Sequence, residues 1–380
     1  MKAEAFTEKA AGKLVATTQG HLAFVPDELP PKLDLHSLAR LIEEASMALG
    51  DLKGAGRRLP NPRMLMRPFM RREAVLSSRI EGTQTSFSDL ALYEASSDTP
   101  GPADRSEVRN YIAAVDHGLA RLEDLPLCKR LCTELHGVLM GTVHFAGTFR
   151  SEQNWIGPPG CKVHEASYVP PPVDEMRTCL DDWEAFLHDR ETMASLVQAA
   201  VMHYQFEAIH PFQDGNGRVG RLMIVLFLAE RALMPTPLLY LSAFFEKHRS
   251  DYYDLLMSVS TKGAWLPWIE FFLRGVREQS IEAAARIEKL LSLQETYWSR
   301  VPAKSKGAGS LIRLIDSLFV SPAVTTPLAM NILEMSFPAA QQNIQKLVEL
   351  GILHEVTGQE RNRIYFAREI HSTATEDLPR

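Results

Sequence analysis

The sequence has few cysteines, no long apolar run and no strong excess of either charge. Four cysteines, none spaced as C-x-x-C, occur among 380 residues, which excludes a disulfide-dense secreted scaffold and favours free thiols in a reducing compartment. The longest uninterrupted apolar run, 222–229, is too short to cross a bilayer. Glu and Lys interrupt the first residues, which therefore lack the apolar segment of a signal peptide. We expect a soluble, cytoplasmic protein with no membrane partner.

Charge and composition are those of an ordinary globular protein. Lys and Arg number 41 against 47 Asp and Glu, and the formal net charge of −6 argues against a general binder of nucleic acid or anionic membranes. The 22 glycines and 23 prolines are too few for a collagen-like or low-complexity chain. A length of 380 residues suggests two or three domains.

Apolar residues recur at helical spacing along most of the chain, so the sequence predicts a mostly α-helical fold. Residues 1–30 are expected to form an irregular arm, and the polar tail after Glu369 is expected to be loose. Residues 147–172 hold short β-prone pieces between prolines and predict a small hairpin. Helices are predicted over 38–49, 64–80, 105–122, 126–141, 174–188, 192–208, 216–231, 244–260, 265–297, 310–320, 326–334 and 338–350.

The pattern suggests four segments: an N-terminal helical region over 1–104, a helical core over 105–300, a linker over 301–309 and a small domain over 310–380. Three helices and two short strands in the last segment follow the winged-helix order. Residues 303–380 carry eight basic and eight acidic side chains, whereas a module that reads DNA should be clearly basic. This balance favours a protein-contact or dimer role for the small domain.

One stretch, His210 to Arg221, carries the groups needed to bind a phosphate and move a proton: His-Pro-Phe-Gln-Asp-Gly-Asn-Gly-Arg-Val-Gly-Arg. Gly215 and Gly217 permit a tight turn that brings backbone N–H groups to a ligand, and the following helix adds the positive end of its dipole. Arg218 and Arg221 share a face of the first helical turn, and two guanidinium groups there favour a polyphosphate.

Two side chains add chemistry to this anion site. Asp214 is a hard oxygen ligand, and one carboxylate together with phosphate oxygens and waters is a common way to hold Mg²⁺. His210 has the side chain whose ordinary pKa suits a general base at neutral pH.

The stretch resembles the signature of the Fic family (filamentation induced by cAMP), H-x-F-x-[DE]-G-N-G-R-x-x-R, and every specified position matches. The resemblance implies a Fic-type helical core and transfer of AMP from MgATP to a Tyr, Thr or Ser hydroxyl of a target protein. It implies that His210 is the base and that Asp214 holds Mg²⁺. The residues expected to bind ATP in this stretch are Gly215, Asn216, Gly217, Arg218, Gly220 and Arg221.

Two other regions are similar to parts of that family. Residues 147–172 resemble the hairpin flap over the active site, which would place Ile156 and Gly157 at the nucleotide. An exposed strand edge in the flap could hold a target segment by adding a strand, although an ordinary surface hairpin has the same pattern. Tyr252 and Tyr253 resemble paired tyrosines beside the adenine, but a tyrosine pair on a helix is also common in a half-buried core.

A second motif lies upstream, where Ser77 to Gly82 resembles the family's inhibitory pattern [ST]-x-x-x-E-[GN]. The resemblance implies an N-terminal inhibitory helix whose Glu81 pairs with Arg221 and displaces the γ-phosphate. A surface glutamate at a helix end is the structural alternative.

Two alternative functions stay open. A hydrolase that removes AMP would use the same fold, with Glu81 directing a water. A transcription regulator would use the core only to sense nucleotide and the winged helix to bind DNA. The target protein and the oligomeric state, including a homodimer, are not determined by the sequence.

Overall fold

The computed structural model describes residues 1–57, 62–82, 103–302 and 307–375, and these residues are mostly helical, as predicted. The helices are α1 (Ala39–Arg57), α2 (Pro62–Ile80), α3 (Ala103–Arg121), α4 (Lys129–Met140), α5 (Val173–His188), α6 (Ser195–Ile209), α7 (Asn216–Glu230), α8 (Ser242–Lys247), α9 (Arg249–Lys262), α10 (Trp265–Arg300), α11 (Ala308–Val320), α12 (Thr326–Leu333), α13 (Phe337–Glu349) and α14 (Arg368–Thr375). The strands are β1 (Gly12–Ala16), β2 (Leu22–Pro26), β3 (Ala323–Thr325), β4 (His354–Glu355) and β5 (Ile364–Phe366).

The chain forms two compact units, and each unit joins segments that are distant in sequence. The first unit comprises Met1–Gly50, Asn110–Pro235 and Leu241–Gln279; the second comprises Asp51–Arg109, Thr236–Tyr240 and Ser280–Arg380. The four-segment division suggested by the sequence stays a prediction.

The first unit is built around α6, which is buried on all sides along nearly its whole length. A helix that is apolar all round is expected to have packing partners on every face. Helices α5, α7 and α9 and strand β2 pack against it, and α4 packs against α7. Trp183 donates its indole N–H to the carbonyl of Met202 at 3.0 Å, and Trp268 donates to Ala200 at 2.9 Å. The two tryptophans therefore fill the core without leaving a buried donor unsatisfied.

Residues 12–26 form a β-hairpin, so the predicted irregular arm is wrong. β1 and β2 pair antiparallel, with Gly12 opposite Pro26 and Ala16 opposite Leu22. From Ala23 onward every residue of β2 is buried, so the strand lacks the alternation of apolar and polar residues that identifies a half-exposed strand. The hairpin depends on its packing partners, and these cannot be read from the local pattern.

The helix predicted over 244–260 is also divided. α8 ends at Lys247 and α9 begins at Arg249, because His248 between them leaves the helical region with φ −112° and ψ 39°. The neighbouring helix predictions agree with α5, α6, α7 and α10 to within a few residues.

The second unit contains α2, which packs against α11 and α14, and a three-stranded antiparallel sheet in the order β3–β5–β4. Helices α11, α12 and α13 precede β4 and β5, which is the predicted order. Strand β3 was not predicted; it pairs Ala323 with Phe366 and Thr325 with Ile364.

The tail after Glu369 is helical, so the prediction of a loose tail is wrong up to Thr375. Ile370 and Ala374 of α14 are buried, and the buried Arg286 donates a hydrogen bond to the Thr373 carbonyl at 2.6 Å. Residues 303–306 of the predicted linker and residues 83–102 of the predicted N-terminal region lie outside the described residues.

Within the described ranges, which omit 58–61, 83–102, 303–306 and 376–380, no helix is both long enough and apolar enough to cross a membrane. The four cysteines are free thiols, as predicted.

Replacing Ile370 by alanine should lower the free energy of unfolding by about 2 to 4 kcal/mol, because it empties a buried site between α14 and its neighbours. Arg368→Ala, at an exposed position of the same helix, is the matched control and should change it by less than about 0.5 kcal/mol. Urea unfolding followed by circular dichroism measures both. Equal effects of the two variants would contradict the packing of α14.

Candidate functional site

The predicted catalytic histidine lies where α6 ends. The backbone N–H of His210 donates to the carbonyl of Phe206 at 3.0 Å, and His210 adopts a left-handed conformation with φ 50° and ψ 60°. Such a conformation costs a non-glycine residue roughly 1 to 3 kcal/mol, so the surrounding structure must hold it. His210 is half-buried, whereas nearly every residue of the preceding helix α6 is buried.

Arg150 holds the backbone on both sides of this turn. Its Nε donates to the carbonyl of His210 at 3.0 Å, and its backbone N–H donates to that of Pro211 at 2.9 Å. Its Nη1 and Nη2 donate to Glu152 at 3.2 Å and Pro171 at 2.5 Å. Burial lowers the pKa of this guanidinium to about 10, yet it stays charged at neutral pH. Arg150 therefore ties the histidine turn to both ends of the flap, residues 147–172.

Asn216 closes the loop between α6 and α7. Its side-chain oxygen accepts the N–H of Phe212, and its side-chain nitrogen donates to the Phe212 carbonyl, both at 2.8 Å. Asn154 of the flap donates to the same carbonyl at 3.0 Å. Both polar side-chain atoms of Asn216 are used within the loop, so its predicted contact with ATP would have to come from its backbone N–H.

The start of α7 combines three features that favour an anion. Gly215 precedes the helix with φ 77°, a conformation that glycine adopts at little cost. The first N–H groups of a helix have no acceptor within it, so they and the helix dipole favour an anion at this end. Arg218 and Arg221 are both buried in the first two turns, which adds two fixed positive charges. Gly217 lies between these groups and is half-buried.

Asp214 lies at the mouth of this site, with 63% of its side chain exposed. Its Oδ1 accepts the N–H of Gly215 at 2.6 Å and is 3.7 Å from Nη2 of Arg218. No group of three or more His, Cys, Asp and Glu side chains suited to a metal occurs in the described part of the chain. Mg²⁺ is commonly held by one or two carboxylates with substrate phosphates and waters, so this single accessible carboxylate fits that ion bound with a nucleotide.

Gly220 faces α6. A Cβ atom there would lie 2.3 Å from Oε1 of Glu207 and 3.2 Å from Cδ1 of Phe206. The close approach of α6 and α7 accounts for the glycine at this position, which the resemblance assigned to ATP binding.

The flap is shorter as a β element than the sequence predicts. Ile156 and Tyr168 form one antiparallel bridge, in which Ile156 donates to Tyr168 at 2.8 Å and accepts its N–H at 3.1 Å. Prolines on both sides of this bridge remove the N–H groups that longer strands would need. Ile156 and Gly157 are exposed, so the flap has an accessible edge at the predicted position.

The two predicted adenine-binding tyrosines differ in environment. Tyr252 is 1% exposed, its ring stacks on Phe245 with centroids 4.7 Å apart, and its hydroxyl lies 2.9 Å from Nε2 of the buried His203. Tyr253 is 41% exposed and has Arg249 over its ring at 5.9 Å. Tyr252 is thus a core residue here, and of the pair it is Tyr253 that is exposed to solvent.

His136 is a site residue that the sequence prediction missed. Its Nδ1 accepts the N–H of Gly147 at 3.0 Å, so the hydrogen bond network assigns the proton to Nε2, which donates to the carbonyl of Asp214 at 3.1 Å. Its ring stacks on Phe212 with centroids 3.9 Å apart. Burial lowers its pKa to about 4, so it is neutral at pH 7. An isolated histidine among the apolar residues of α4 gave no motif by which to find it.

Glu81 directly follows α2 in the second unit. Ser77 is buried and Glu81 is exposed, and Gly82 follows with a positive φ of 102°, a conformation that glycine adopts readily at a helix end. The predicted pairing of Glu81 with Arg221 stays a prediction.

Two segments of the chain match known family profiles. Residues 39–120 match the N-terminal region of the Fic/DOC family, and residues 126–228 match the Fic/DOC family itself. These two adjacent segments of the chain therefore resemble the two regions of that family.

Curated relatives agree with this assignment over part of their length. The chain is 30% identical over 201 residues to "Protein adenylyltransferase Fic" of Aedes aegypti, which covers 48% of this chain and 37% of that protein. It is 30% identical over 155 residues to the protein of the same name from Nematostella vectensis, covering 40% and 32%. The chain thus spans about a third of the length of these relatives.

Solved structures share the fold at low identity. A Fic family protein from Desulfovibrio desulfuricans G20 aligns with a TM-score of 0.57 at 21% identity, covering 93% of this chain and 100% of that one. A Fic domain containing signaling protein from Bacteroides thetaiotaomicron aligns with a TM-score of 0.52 at 18% identity, covering 64% and 97%.

The buried His203 makes stability depend on pH. Burial, and then the nearby charge of Arg221, lower its pKa to about 3, whereas an unfolded histidine titrates near 6.5. Below pH 6.5 only the unfolded state binds this proton, so stability should fall with decreasing pH, by up to about 1.4 kcal/mol per pH unit from this one group.

His203→Gln retains a partner for the Tyr252 hydroxyl and should lose that part of the pH dependence. Urea unfolding of both proteins at pH 7, 5.5 and 4.5 measures how their free energies of unfolding change with pH. His136 is present in both proteins, so its contribution does not affect the difference between them. Parallel pH profiles would show that the pKa of His203 is not lowered by folding.

Proposed function

We propose that this protein is an adenylyltransferase that moves AMP from MgATP to a Tyr, Thr or Ser hydroxyl of a target protein. The observation that carries the proposal is the position of His210, fixed in a left-handed turn just before the anion-binding start of α7. The names of the curated relatives support the same reaction class.

In the proposed reaction, His210 takes the proton of the target hydroxyl as its oxygen bonds to the α-phosphorus of ATP. The bond from that phosphorus to the β-phosphate oxygen breaks, and pyrophosphate leaves. Catalysis comes from orientation, from one general base and from fixed charge at the phosphates.

The remaining groups hold the nucleotide. The first N–H groups of α7, with Arg218 and Arg221, face developing and departing phosphate charge. Asp214 is the residue that would hold Mg²⁺, and the ion would offset negative charge on the phosphates. Tyr253 offers a ring on which an adenine could stack, with Ile156 and Gly157 at the flap edge.

We also propose that Glu81 restrains the enzyme by pairing with Arg221. The support is the inhibitory pattern itself, the exposed position of Glu81 at the end of α2, and the fixed charge of Arg221 at the predicted γ-phosphate position. The small C-terminal domain, with its winged-helix order and balanced charge, is proposed to contact protein, including a second copy of the chain, rather than nucleic acid.

His210→Ala should reduce AMP transfer by about 10² to 10⁴, the usual contribution of a positioned base, and should leave ATP affinity nearly unchanged. Transfer is measured as protein labelling from α-³²P-ATP in a Glu81→Gly background, and affinity by calorimetry. His188→Ala, at the exposed end of α5, is the control and should label normally. Near-normal labelling by His210→Ala would show that His210 is not the general base.

Glu81→Gly should increase labelling by roughly 10- to 100-fold, because a charge-assisted bond of about 1.5 to 3 kcal/mol would no longer compete with the γ-phosphate. Glu123→Gly, which removes another exposed carboxylate beside a helix end, should not. In an Arg221→Ala background the gain should disappear.

The outcome that contradicts restraint is an equal labelling rate for Glu81→Gly and wild type while ATP still binds. Loss of an AMP-removing activity in Glu81→Gly would instead favour the hydrolase.

A further inference from the structure

The N-terminal hairpin contacts the flap through its backbone. The N–H of Phe24, in β2, donates to the carbonyl of Val169 at 2.9 Å. Val169 follows Tyr168, which is bridged to Ile156 at the accessible edge of the flap. Backbone hydrogen bonds therefore run from β1 through β2 to the returning limb of the flap and on to Ile156.

Side chains of the hairpin and flap share one buried cluster. Ala23 of β2 packs with Ala166 and Val169 of the flap, and the half-buried Val15 and Val163 cover them. The hairpin thus supplies apolar surface that the returning limb would otherwise expose to water.

Phe24 is a second apolar contact between the hairpin and the flap. Its side chain is completely buried, and its ring centroid lies 6.0 Å from that of Tyr168 and 5.5 Å from that of Phe6. The Tyr168 hydroxyl in turn donates to the carbonyl of Ala208 in α6 at 2.8 Å. The returning limb therefore lies between the hairpin and the last turn of α6, directly before His210.

The hairpin is itself attached to the helices of the first unit. Gln205 of α6 donates to the carbonyl of Asp27 at 2.9 Å, and Asp182 of α5 accepts the N–H of Leu29 at the same distance. Earlier in the chain, the N–H of Thr7 donates to a carbonyl at the end of α9 at 2.8 Å. These bonds make the hairpin a fixed support rather than a loose arm.

We propose that the N-terminal hairpin is a positioning element that holds the flap edge on either side of Ile156, at Trp155 and Gly157, where a target segment can add as a strand; the target-binding part of this inference rests on the proposed function. Ile156 itself uses its N–H and carbonyl to bond the returning limb. A single bridge has too few hydrogen bonds to be stable by itself, so the edge needs support from outside the flap. A preformed edge also lowers the entropy cost of ordering a bound segment. The hairpin lies before residue 39, outside both matched family segments.

Hydrogen exchange on the full chain tests the support directly. In Phe24→Ala, the amides of Ile156, Ser167 and Tyr168 should exchange at least about tenfold faster, because their hydrogen bonds open with the unsupported limb. Amides in α7 should keep their rates. Leu22→Ala, at an exposed position of β2, is the matched control and should leave the flap unchanged.

Phe24→Leu tests the same contact if Phe24→Ala does not fold, because it leaves a smaller cavity than the alanine variant. It should accelerate the same three amides by about threefold. Wild-type rates at these amides in Phe24→Leu, or equal acceleration in the flap and in α7, would overturn the proposal.

AMP labelling of lysate protein, at two protein dilutions with saturating α-³²P-ATP, tests the consequence for target binding. Phe24→Leu should lose more label in dilute than in concentrated lysate, and its dependence on ATP concentration should match wild type. A faster-exchanging flap with normal labelling at both dilutions would overturn the positioning role. Each of these proteins is also tested in the Glu81→Gly background, which removes the proposed restraint. If neither wild type nor Glu81→Gly labels any protein, the proposed function fails, and the support of the flap is decided by exchange alone.

Discussion

The buried carbonyl groups of the loop between α6 and α7 must find donors, and the rest of the site depends on how they do so. A loop that passes through a protein interior leaves polar backbone atoms that helices and sheets would otherwise pair. Arg150, Asn154 and Asn216 supply these donors from the flap and from α7. Because Arg150 bonds carbonyls of the flap as well, the same side chain fixes the histidine turn and the flap together.

This constraint separates the groups that we propose take part in the reaction from those that place them. Asp214 is exposed and His210 is half-buried, whereas His136, Arg150 and Asn216 are buried and bond mostly to backbone. The neutral His136 is suited to its place because one ring nitrogen accepts and the other donates, which a protonated ring could not do. The fixed charges of Arg218 and Arg221 then face a loop whose geometry is already set before a ligand arrives.

Much of this protein follows from local sequence. The mostly helical fold is predicted because apolar spacing reports directly on a helix with one buried face, and Gly82 marks the end of α2 because glycine readily adopts a positive φ. The His210–Arg221 motif is identified because its turn, helix start and charged groups are contiguous in the chain. The groups proposed to bind phosphate and to move a proton therefore lie within twelve consecutive residues.

Roles that depend on distant partners were decided only by the tertiary structure. The sequence assigned Gly220 and Tyr252 to the nucleotide, but close packing of α6 on α7 explains the glycine, and His203 with Phe245 buries the tyrosine. β2 and α14 are ordered because they pack against segments far along the chain, and no periodicity in a short segment reports such a partner. The sequence by itself determined which chemical groups the site contains; long-range packing determined which of them face a ligand and which hold the others in place.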